Sequence, residues 1–444
     1  MILGIVALFT VILCLVALRE PAWGLGLAAA ADLILMEGVP VGGTTVAVES
    51  FFFLYLLCIP LLAQLLGRGN VAEPLARARP LLVFVLAFYG VCVVSAVLGG
   101  MSGGSPMIVS RLPLWTLFGL SSIWLCRSER DLVVVAKCVV AACLLLLLMA
   151  VATGLPSAAE QGGLMRHRYL NPLGHGLSLG AVLAFALYGS RAVRGTRRVM
   201  ALGLVGLFLV GILWTGSRGS LISAAFSLSM VAWVVSPGRT KSAFKLATLA
   251  GSLLLVFAVG SGHVGAAWER FLANDASSNL YRFQIAILSG RLFVSEPLFG
   301  VGLGGMESAG IFLSSDLRTL ATTIISSDND YARILAELGA VGSLVVLSWV
   351  VYVKCRYREA ILGLRMAGRR QTPAVALGVG VASNLVVLGM FESVLFSPTG
   401  WFYLGFTWAC IRLVPRLGHR VSPMRLRRPR FLPRLRPGRG RIVG

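Results

Sequence analysis

The stretch DLVVVAKCVVAACLLLLLMAVAT, residues 131–153, decides the class of fold. Its segment 143–149, CLLLLLM, contains no polar or charged interruption. A strand of a membrane β-barrel alternates apolar and polar side chains, whereas a helix that crosses a bilayer needs about 20 mainly apolar residues in a row. The stretch therefore predicts a transmembrane helix and an all-α fold for the chain around it.

The composition of the whole chain agrees with this prediction. Of its 444 residues, 57% are hydrophobic and 13% are charged, against about 45–50% and about 25% in soluble domains. The N-terminal run 1–21 lacks a basic leading segment and a small-residue cleavage site, so it is interpreted as a retained helix and not as a signal peptide. We expect a polytopic membrane protein with about 12–13 transmembrane helices.

Apolar runs of spanning length recur along the chain. The candidate spans are 2–18, 21–36, 50–66, 80–98, 112–126, 131–153, 173–190, 199–214, 219–236, 243–260, 331–353, 373–391 and 398–414. The segment 21–36 is short and begins at Pro21. If it does not cross, the N-terminus becomes cytoplasmic and about twelve spans remain.

Lysines and arginines in the short loops predict which side each loop faces, because cytoplasmic loops carry an excess of both. The basic loops are 67–79, 191–198, 237–245 and 354–371, and the loops without Lys or Arg are 37–49 and 391–397. This pattern predicts a cytoplasmic C-terminus. It also predicts that three segments face the outside: 154–172, 215–218 and 261–330.

The chain is accordingly divided into four parts. They are ten transmembrane helices in 1–260, a large extracytoplasmic loop with surface helices in 261–330, three transmembrane helices in 331–414 and a basic, disordered cytoplasmic tail in 415–444. Within the loop, 278–294 and 306–324 are predicted to be partly helical and to lie on the membrane surface.

The net charge of +22 does not indicate nucleic-acid binding. Eleven arginines and no acidic residue lie in 412–444, with only Phe431 as an interleaved aromatic residue. Such a segment is typical of contact with anionic lipid headgroups. We therefore expect membrane lipids and no nucleic acid among the partners, and a location in the cell membrane.

The eight cysteines do not form a redox or metal motif. They lie in the apolar spans or at their predicted cytoplasmic ends, and no CxxC occurs. A disulfide framework or a structural zinc site is therefore not expected. We predict no metal and no cofactor.

Arg218 lies in WTGSRGSLISAAF, residues 214–226, between two spans on the predicted external side. An arginine there can simply extend towards lipid headgroups. However, Ser217 and Ser220 can cap the following helix, and a helix N-terminus beside an arginine is a suitable site for a phosphate. The two interpretations are equally supported by the residues alone.

Arg282, in SSNLYRFQIAI at 277–287, is a second external arginine. Two arginines on one face suit a diphosphate. Downstream, PLFGVGLGG at 297–305 lacks the GxxxxGK[ST] pattern of a nucleotide-binding P-loop. Its glycines predict a compact turn that packs the external loop onto the helix bundle.

The stretch DNDYARILAELG, residues 328–339, opens another span. Asp328 or Asn329 is a good N-cap, which is a sufficient structural reason for either residue. Asp330, Arg333 and Glu337 share one helix face, and Glu337 is expected to pair with Arg333 inside the membrane boundary. Asp328 and Asp330 remain candidates for a catalytic role.

The loop RHRYLNPLGH, residues 166–175, supplies a polar lining at the mouth of the next span. A histidine there can act as a general base, although a polar loop histidine is more often inert. His167 and Arg168 are assigned to substrate binding with Ser217. His175 is an equal candidate for the general base, and His263 has less support.

These motifs occur in an order that resembles the O-antigen ligase and polymerase family of polysaccharide membrane proteins. The resemblance covers about 165–350 and depends on TGSRG, on Arg282 with PLFGVGLG, and on DNDYARILAELGAVG. It implies glycan transfer from an undecaprenyl-diphosphate carrier to a glycan or lipid acceptor outside the cytoplasm, without nucleotide sugar or metal. It also implies that Arg218 and Arg282 bind the diphosphate leaving group.

The chain departs from the family pattern at one position. Ligases have a histidine where Asp328 stands, and that histidine is their proposed base. An aspartate has an ordinary pKa of about 3.9 and is a weaker base. Polymerase-like activity, the joining of repeat units, is therefore the better hypothesis than ligation to lipid A.

Two other functions are compatible with the residues. A transporter or flippase for a lipid-linked or anionic solute would use the same arginines and would need no base. A scaffold of a cell-envelope assembly would need neither arginine. Labelled lipid-linked oligosaccharide in reconstituted vesicles distinguishes transfer from translocation.

Overall fold

The computed structural model describes 13 stretches of the chain. They are residues 15–16, 18–34, 39–41, 44–46, 72–99, 105–152, 171–190, 195–215, 217–235, 276–306, 329–366, 372–391 and 394–414. Within them the chain is almost entirely helical.

Ten of the eleven helices in the described residues overlap predicted spans, and the other, α8, lies in the predicted external loop. The helices are α1 (Pro21–Ile34), α2 (Ala72–Leu98), α3 (Ser105–Leu125), α4 (Glu129–Ala152), α5 (Asn171–Gly189), α6 (Thr196–Thr215), α7 (Arg218–Val235), α8 (Ala276–Ser295), α9 (Asp330–Met366), α10 (Pro373–Leu388) and α11 (Pro398–Leu413). Two short strands, β1 (Val39–Val41) and β2 (Thr44–Val46), form an antiparallel hairpin.

The all-α membrane fold is confirmed. Among the described residues, five helices are long and apolar enough to cross a bilayer, namely those in 78–98, 129–152, 196–215, 218–235 and 330–364. The predicted spans 50–66 and 243–260, and most of 2–18, lie outside the described residues. The total of about 12–13 spans therefore stays a prediction, as does the role of the 14-residue α1.

Two predicted boundaries at basic loops are wrong. Helix α2 begins at Ala72 and not near residue 80, and α9 continues to Met366 and not only to 353. Hydropathy detects where apolar residues end, but arginine and lysine are good helix formers. Both helices therefore continue through basic residues that had been assigned to loops.

The bundle is organised around α5, which packs against α4, α6, α7 and α10. On the other side, α11 packs against α3 and α10, α9 packs against α2, and α8 lies on α9. Gly405 of α11 meets the backbone of Gly119 in α3 so closely that a side chain would not fit at Gly405. Close contacts between small residues stabilise helix packing in a membrane, because the hydrophobic effect does not favour association of helices that lipid already surrounds.

Buried hydrogen bonds join three of the central helices. Asn384 Nδ2 of α10 donates to Ser178 Oγ of α5 at 2.7 Å, and Ser223 Oγ of α7 donates to the Asn384 carbonyl at 3.1 Å. All three residues are buried. These bonds fix the relative positions of α5, α7 and α10, whose ends form the site described below.

Candidate active site

Helix α7 begins at Arg218, which is partly buried. The preceding Ser217 is 6% exposed; its carbonyl accepts the Leu221 N–H at 3.1 Å, and its hydroxyl lies 2.7 Å from Ser220 Oγ. Gly174, in the first turn of α5, packs directly against Ser217 and Ser220. Arg218 is thus held at the positive end of a helix dipole, beside two hydroxyl groups.

Helix α9 begins with a side-chain cap. Asn329 Oδ1 accepts the N–H groups of Tyr331 at 2.9 Å and Ala332 at 3.1 Å. Of the two predicted capping residues, Asn329 therefore caps the helix. Asp328 lies outside the described residues.

Asp330 ties the start of α9 to the connection between α10 and α11, residues 389–397. Its Oδ2 accepts the N–H groups of Val394 at 2.8 Å and Leu395 at 2.7 Å, and its own N–H donates to the Gly389 carbonyl at 2.9 Å. Asp330 is 1% exposed. The carboxylate therefore has an evident structural function, whatever else it does.

The same 389–397 connection also reaches α7. Gly219, directly after Arg218, is so close to Phe391 that an added Cβ would lie 2.6 Å from the Phe391 Cβ. The connection thus contacts Gly219 at one point and Asp330 at another. It brings the starts of α7 and α9 to one end of the bundle, although 112 positions separate Arg218 and Asp330 in the sequence.

A buried ion pair lies one turn further along α9. Arg333 Nε donates to Glu337 Oε2 at 3.0 Å, and the guanidinium lies over the Phe396 ring, 4.4 Å from its centroid. The predicted pairing of Arg333 with Glu337 is confirmed. Because Phe396 belongs to the 389–397 connection, the pair adds a second attachment of this segment to α9.

Helix α8 lies against the first half of α9 through a small apolar cluster. Ile285, Met306 and Ala336 are its buried members, with Leu288, Leu292 and Ala332 packed around them. The helix that had been predicted over 278–294 is therefore present, as 276–295. Arg282 is part of this helix, one turn before Ile285, but its side chain lies outside the described residues.

The remaining predicted site residues, His167 and Arg168, also lie outside the described residues. The loop that contains them leads directly into α5, whose first turn touches Ser217 and Ser220 through Gly174. His175, on the same turn of α5, is partly buried. The described residues contain no group of three or more His, Cys, Asp or Glu side chains placed to hold a metal ion.

Sequence reasoning missed the 389–397 connection. The sequence indicated only an external loop without basic residues at 391–397 and placed 389–391 at the end of a span. Its signal was the pair of phenylalanines, Phe391 and Phe396, in a short loop where polar residues are usual. Both rings contact the elements that carry the predicted site residues.

Comparison with known proteins finds a family match over the part of the chain that contains the starts of α7 and α9. Residues 201–347 match the family described as O-Antigen ligase. This region is similar to an O-antigen ligase domain. The match includes Arg218, Arg282, Asp328 and Asp330, and so covers every motif on which the resemblance depended. No curated protein matches the chain.

The O-antigen ligase match confirms the predicted family and the predicted role in building polysaccharide from lipid-linked glycans. With the apolar helices, it identifies a multi-pass inner-membrane protein and a glycosyl-transferring enzyme. It gives no support to the transporter hypothesis.

Proposed function

We propose that this O-antigen ligase family member polymerises repeat units that are carried on a polyprenyl diphosphate, at the extracytoplasmic face and without a metal ion. The observation that carries the proposal is the meeting of the starts of α7 and α9 at one end of the bundle, through Phe391 and Asp330. Both helix starts lie within the family match.

The leaving group of this reaction is a diphosphate, and Arg218 is suited to bind it. The first turn of a helix directs backbone N–H groups without acceptors in the same helix, and the positive end of the helix dipole, towards such a ligand. The guanidinium adds a charged, bidentate donor, and Ser217 adds a hydroxyl group. Such donors stabilise the negative charge that develops on the departing diphosphate.

Arg282 is proposed as the second diphosphate ligand. It belongs to α8, which packs along the first half of α9 through Ile285 and Ala336. His167 and Arg168 precede α5, whose first turn contacts Ser217, and we assign them to the sugar side of the same site. With Arg218, these residues would surround a lipid-linked donor with positive charge.

In the chemical step, the acceptor hydroxyl oxygen attacks the anomeric carbon of the donor sugar. The bond from that carbon to the diphosphate oxygen breaks, and polyprenyl diphosphate leaves with the bonding electrons. The hydroxyl proton passes to a carboxylate, for which we propose Asp328. Asp330 is assigned to holding the 389–397 connection, because its Oδ2 already accepts two backbone N–H groups.

The test is glycan profiling of a deletion strain that is complemented with variants. Arg218→Ala and Arg282→Ala should each lower polymer output by about 10²–10³-fold, the usual cost of one transition-state donor. Arg197→Ala and Arg291→Ala are matched controls, because both arginines are exposed and Arg291 shares α8 with Arg282.

The controls should retain output within about twofold, since exposed surface changes have small effects. Loss of long chains with retention of single units supports a polymerase. Accumulation of lipid-linked polymer supports a ligase instead. Normal polymer output from Arg218→Ala and Arg282→Ala, at normal protein levels, contradicts the proposal.

A further inference from the structure

Helix α9 is broken at Gly339, nine residues after its start. Gly339 has φ 63° and ψ −158°, which lies outside the helical region. Glycine alone adopts this conformation without strain. A regular helix would have bonded the carbonyls of Ala336 and Glu337 to the N–H groups of Ala340 and Val341. The break removes both bonds.

The turn at 297–301, which follows α8 directly, replaces the lost partners on both sides of the break. Val301 N–H donates to the Ala336 carbonyl at 3.0 Å. In the other direction, Ala340 N–H donates to the Pro297 carbonyl at 2.8 Å, and Val341 N–H donates to the Leu298 carbonyl at 3.1 Å.

Helix α2 completes the junction from a third side. Ser95 Oγ donates to the Glu337 carbonyl, and Gly302 packs against Gly99. The Ala336 and Glu337 carbonyls and the Ala340 and Val341 N–H groups are thus satisfied, as buried polar groups in a membrane protein require.

The contact between the 297–301 turn and the break in α9 leaves no room for a side chain at Gly300 or Gly339. A Cβ at Gly339 would lie 2.5 Å from the Leu298 carbonyl oxygen and 2.6 Å from Gly300 N. Gly300 has φ 70°, and its added Cβ would lie 2.5 Å from the Ala336 carbonyl oxygen. Substitution at either glycine must therefore displace the turn from the break.

The position of α8 follows from this junction. Its last residues lead into the 297–301 turn at the break, and its apolar face packs on Ala332 and Ala336. Helix α8 therefore runs back along 330–338, from the break towards the start of α9. Arg282 lies one turn beyond Ile285 in this direction, on the part of α8 that approaches the Asp330 end.

We infer that this junction sets the position of Arg282 relative to the α7 and α9 starts, and that Gly300 and Gly339 are positioning residues for the glycosyl transfer. The inference rests on the proposed role of Arg282 in binding the lipid-linked diphosphate. The two glycines act through the backbone contacts between the 297–301 turn and the break. These contacts fix the position of α8 along the axis of α9, and so fix the distance between Arg282 and Arg218.

The test is a double-mutant cycle on the purified full chain, with a polyprenyl-diphosphate-linked oligosaccharide as donor. Gly300→Ala and Gly339→Ala should each lower kcat/KM for the donor by about 10–100-fold, the cost of misplacing a binding group by about 1 Å. In the Arg282→Ala background, Gly300→Ala should add less than about twofold, because the group that it misplaces is gone. Gly290→Ala is the control, because Gly290 also lies on α8 and an added Cβ there meets open space. It should leave kcat/KM for the donor unchanged.

The inference is overturned if the losses in kcat/KM from Gly300→Ala and Arg282→Ala multiply in the double variant, or if Gly300→Ala is fully active. Either result leaves the proposed function intact. If Arg282→Ala alone has no effect, the proposed function fails instead. Should either alanine variant not fold, Ser95→Ala removes only one bond of the junction. It should raise amide exchange in 276–305 and lower kcat/KM for the donor, and unchanged exchange overturns the inference.

Discussion

At the scale of single residues, the two aspartates near the start of α9 have different surroundings. Asp330 is buried and accepts two backbone N–H groups through one oxygen. Hydrogen bonds to a carboxylate are about twice as strong as those between neutral groups. Asp330 is therefore suited to hold the 389–397 connection, which leaves Asp328 as the proposed base.

This division predicts different outcomes for isosteric and truncating substitutions. Asp330→Asn keeps an oxygen for the N–H groups of Val394 and Leu395, so it should retain more than about a tenth of the activity. Asp330→Ala leaves both N–H groups without an acceptor and should destabilise the protein by about 1–3 kcal/mol. Asp328→Asn should reduce transfer by about 10²–10⁴-fold without a loss of stability.

Transfer assays and thermal unfolding of the three variants in detergent micelles are the measurements. A fully inactive but normally stable Asp330→Asn would identify Asp330 as the base and contradict the division.

Residue-level prediction succeeded where partners are close in sequence. The pairing of Arg333 with Glu337 follows from their i, i+4 spacing, and a cap at Asp328 or Asn329 follows from their place before an apolar run. The bonds from Asp330 to Val394 and Leu395 span 64 and 65 positions. No local pattern contains that information, because it depends on how α9, α10 and α11 pack.

At the scale of elements, α9 contains two ion pairs that differ mainly in burial. Arg333 and Glu337 have side chains that are 8% and 1% exposed, whereas Arg356 and Glu359 are 37% and 65% exposed. A charge that loses its partner is costly only where water cannot replace that partner. The two pairs therefore form a matched comparison within one helix.

Glu337→Ala should destabilise the protein by about 3–5 kcal/mol, because it leaves Arg333 charged and buried. Glu359→Ala should cost less than about 1 kcal/mol, since that pair is largely solvated. Replacing both buried partners, with Arg333→Met and Glu337→Leu, should recover most of the loss. Denaturant unfolding in micelles measures all three variants, and equal losses from Glu337→Ala and Glu359→Ala would argue against burial as the cause.

Element types were predictable from the sequence, and element ends were less so. The bilayer requires unbroken apolar helices, so 131–153 and 173–190 indicated α4 and α5 directly. The break in α9 could not be predicted, because an isolated Gly339 within an apolar run is also compatible with a regular helix. Its reason lies in the 297–301 turn, which is distant in sequence and supplies the missing hydrogen bonds.

At the scale of the whole molecule, the orientation proposed from the loop charges puts the C-terminal end of α9 in the cytoplasm. Cys355 lies there and is exposed, whereas the other cysteines of the described part of the chain are buried. A membrane-impermeant maleimide should therefore label Cys355 only after the inner membrane is opened.

The comparison uses Cys355→Ser as the background control, since Cys14 and Cys58 are outside the described residues. Glu359→Cys on that background repeats the test at a neighbouring position with a 65% exposed side chain. Labelling of either thiol in intact cells would reverse the proposed orientation.

Polymerisation of lipid-linked repeat units is measured most directly by a transfer assay with the purified chain in liposomes and a labelled polyprenyl-diphosphate-linked repeat unit. We expect glycans longer than one unit and released polyprenyl diphosphate, with the same rate when EDTA is present and a severe loss in Arg218→Ala. Label that stays in single lipid-linked units, or that only crosses the bilayer, would contradict it.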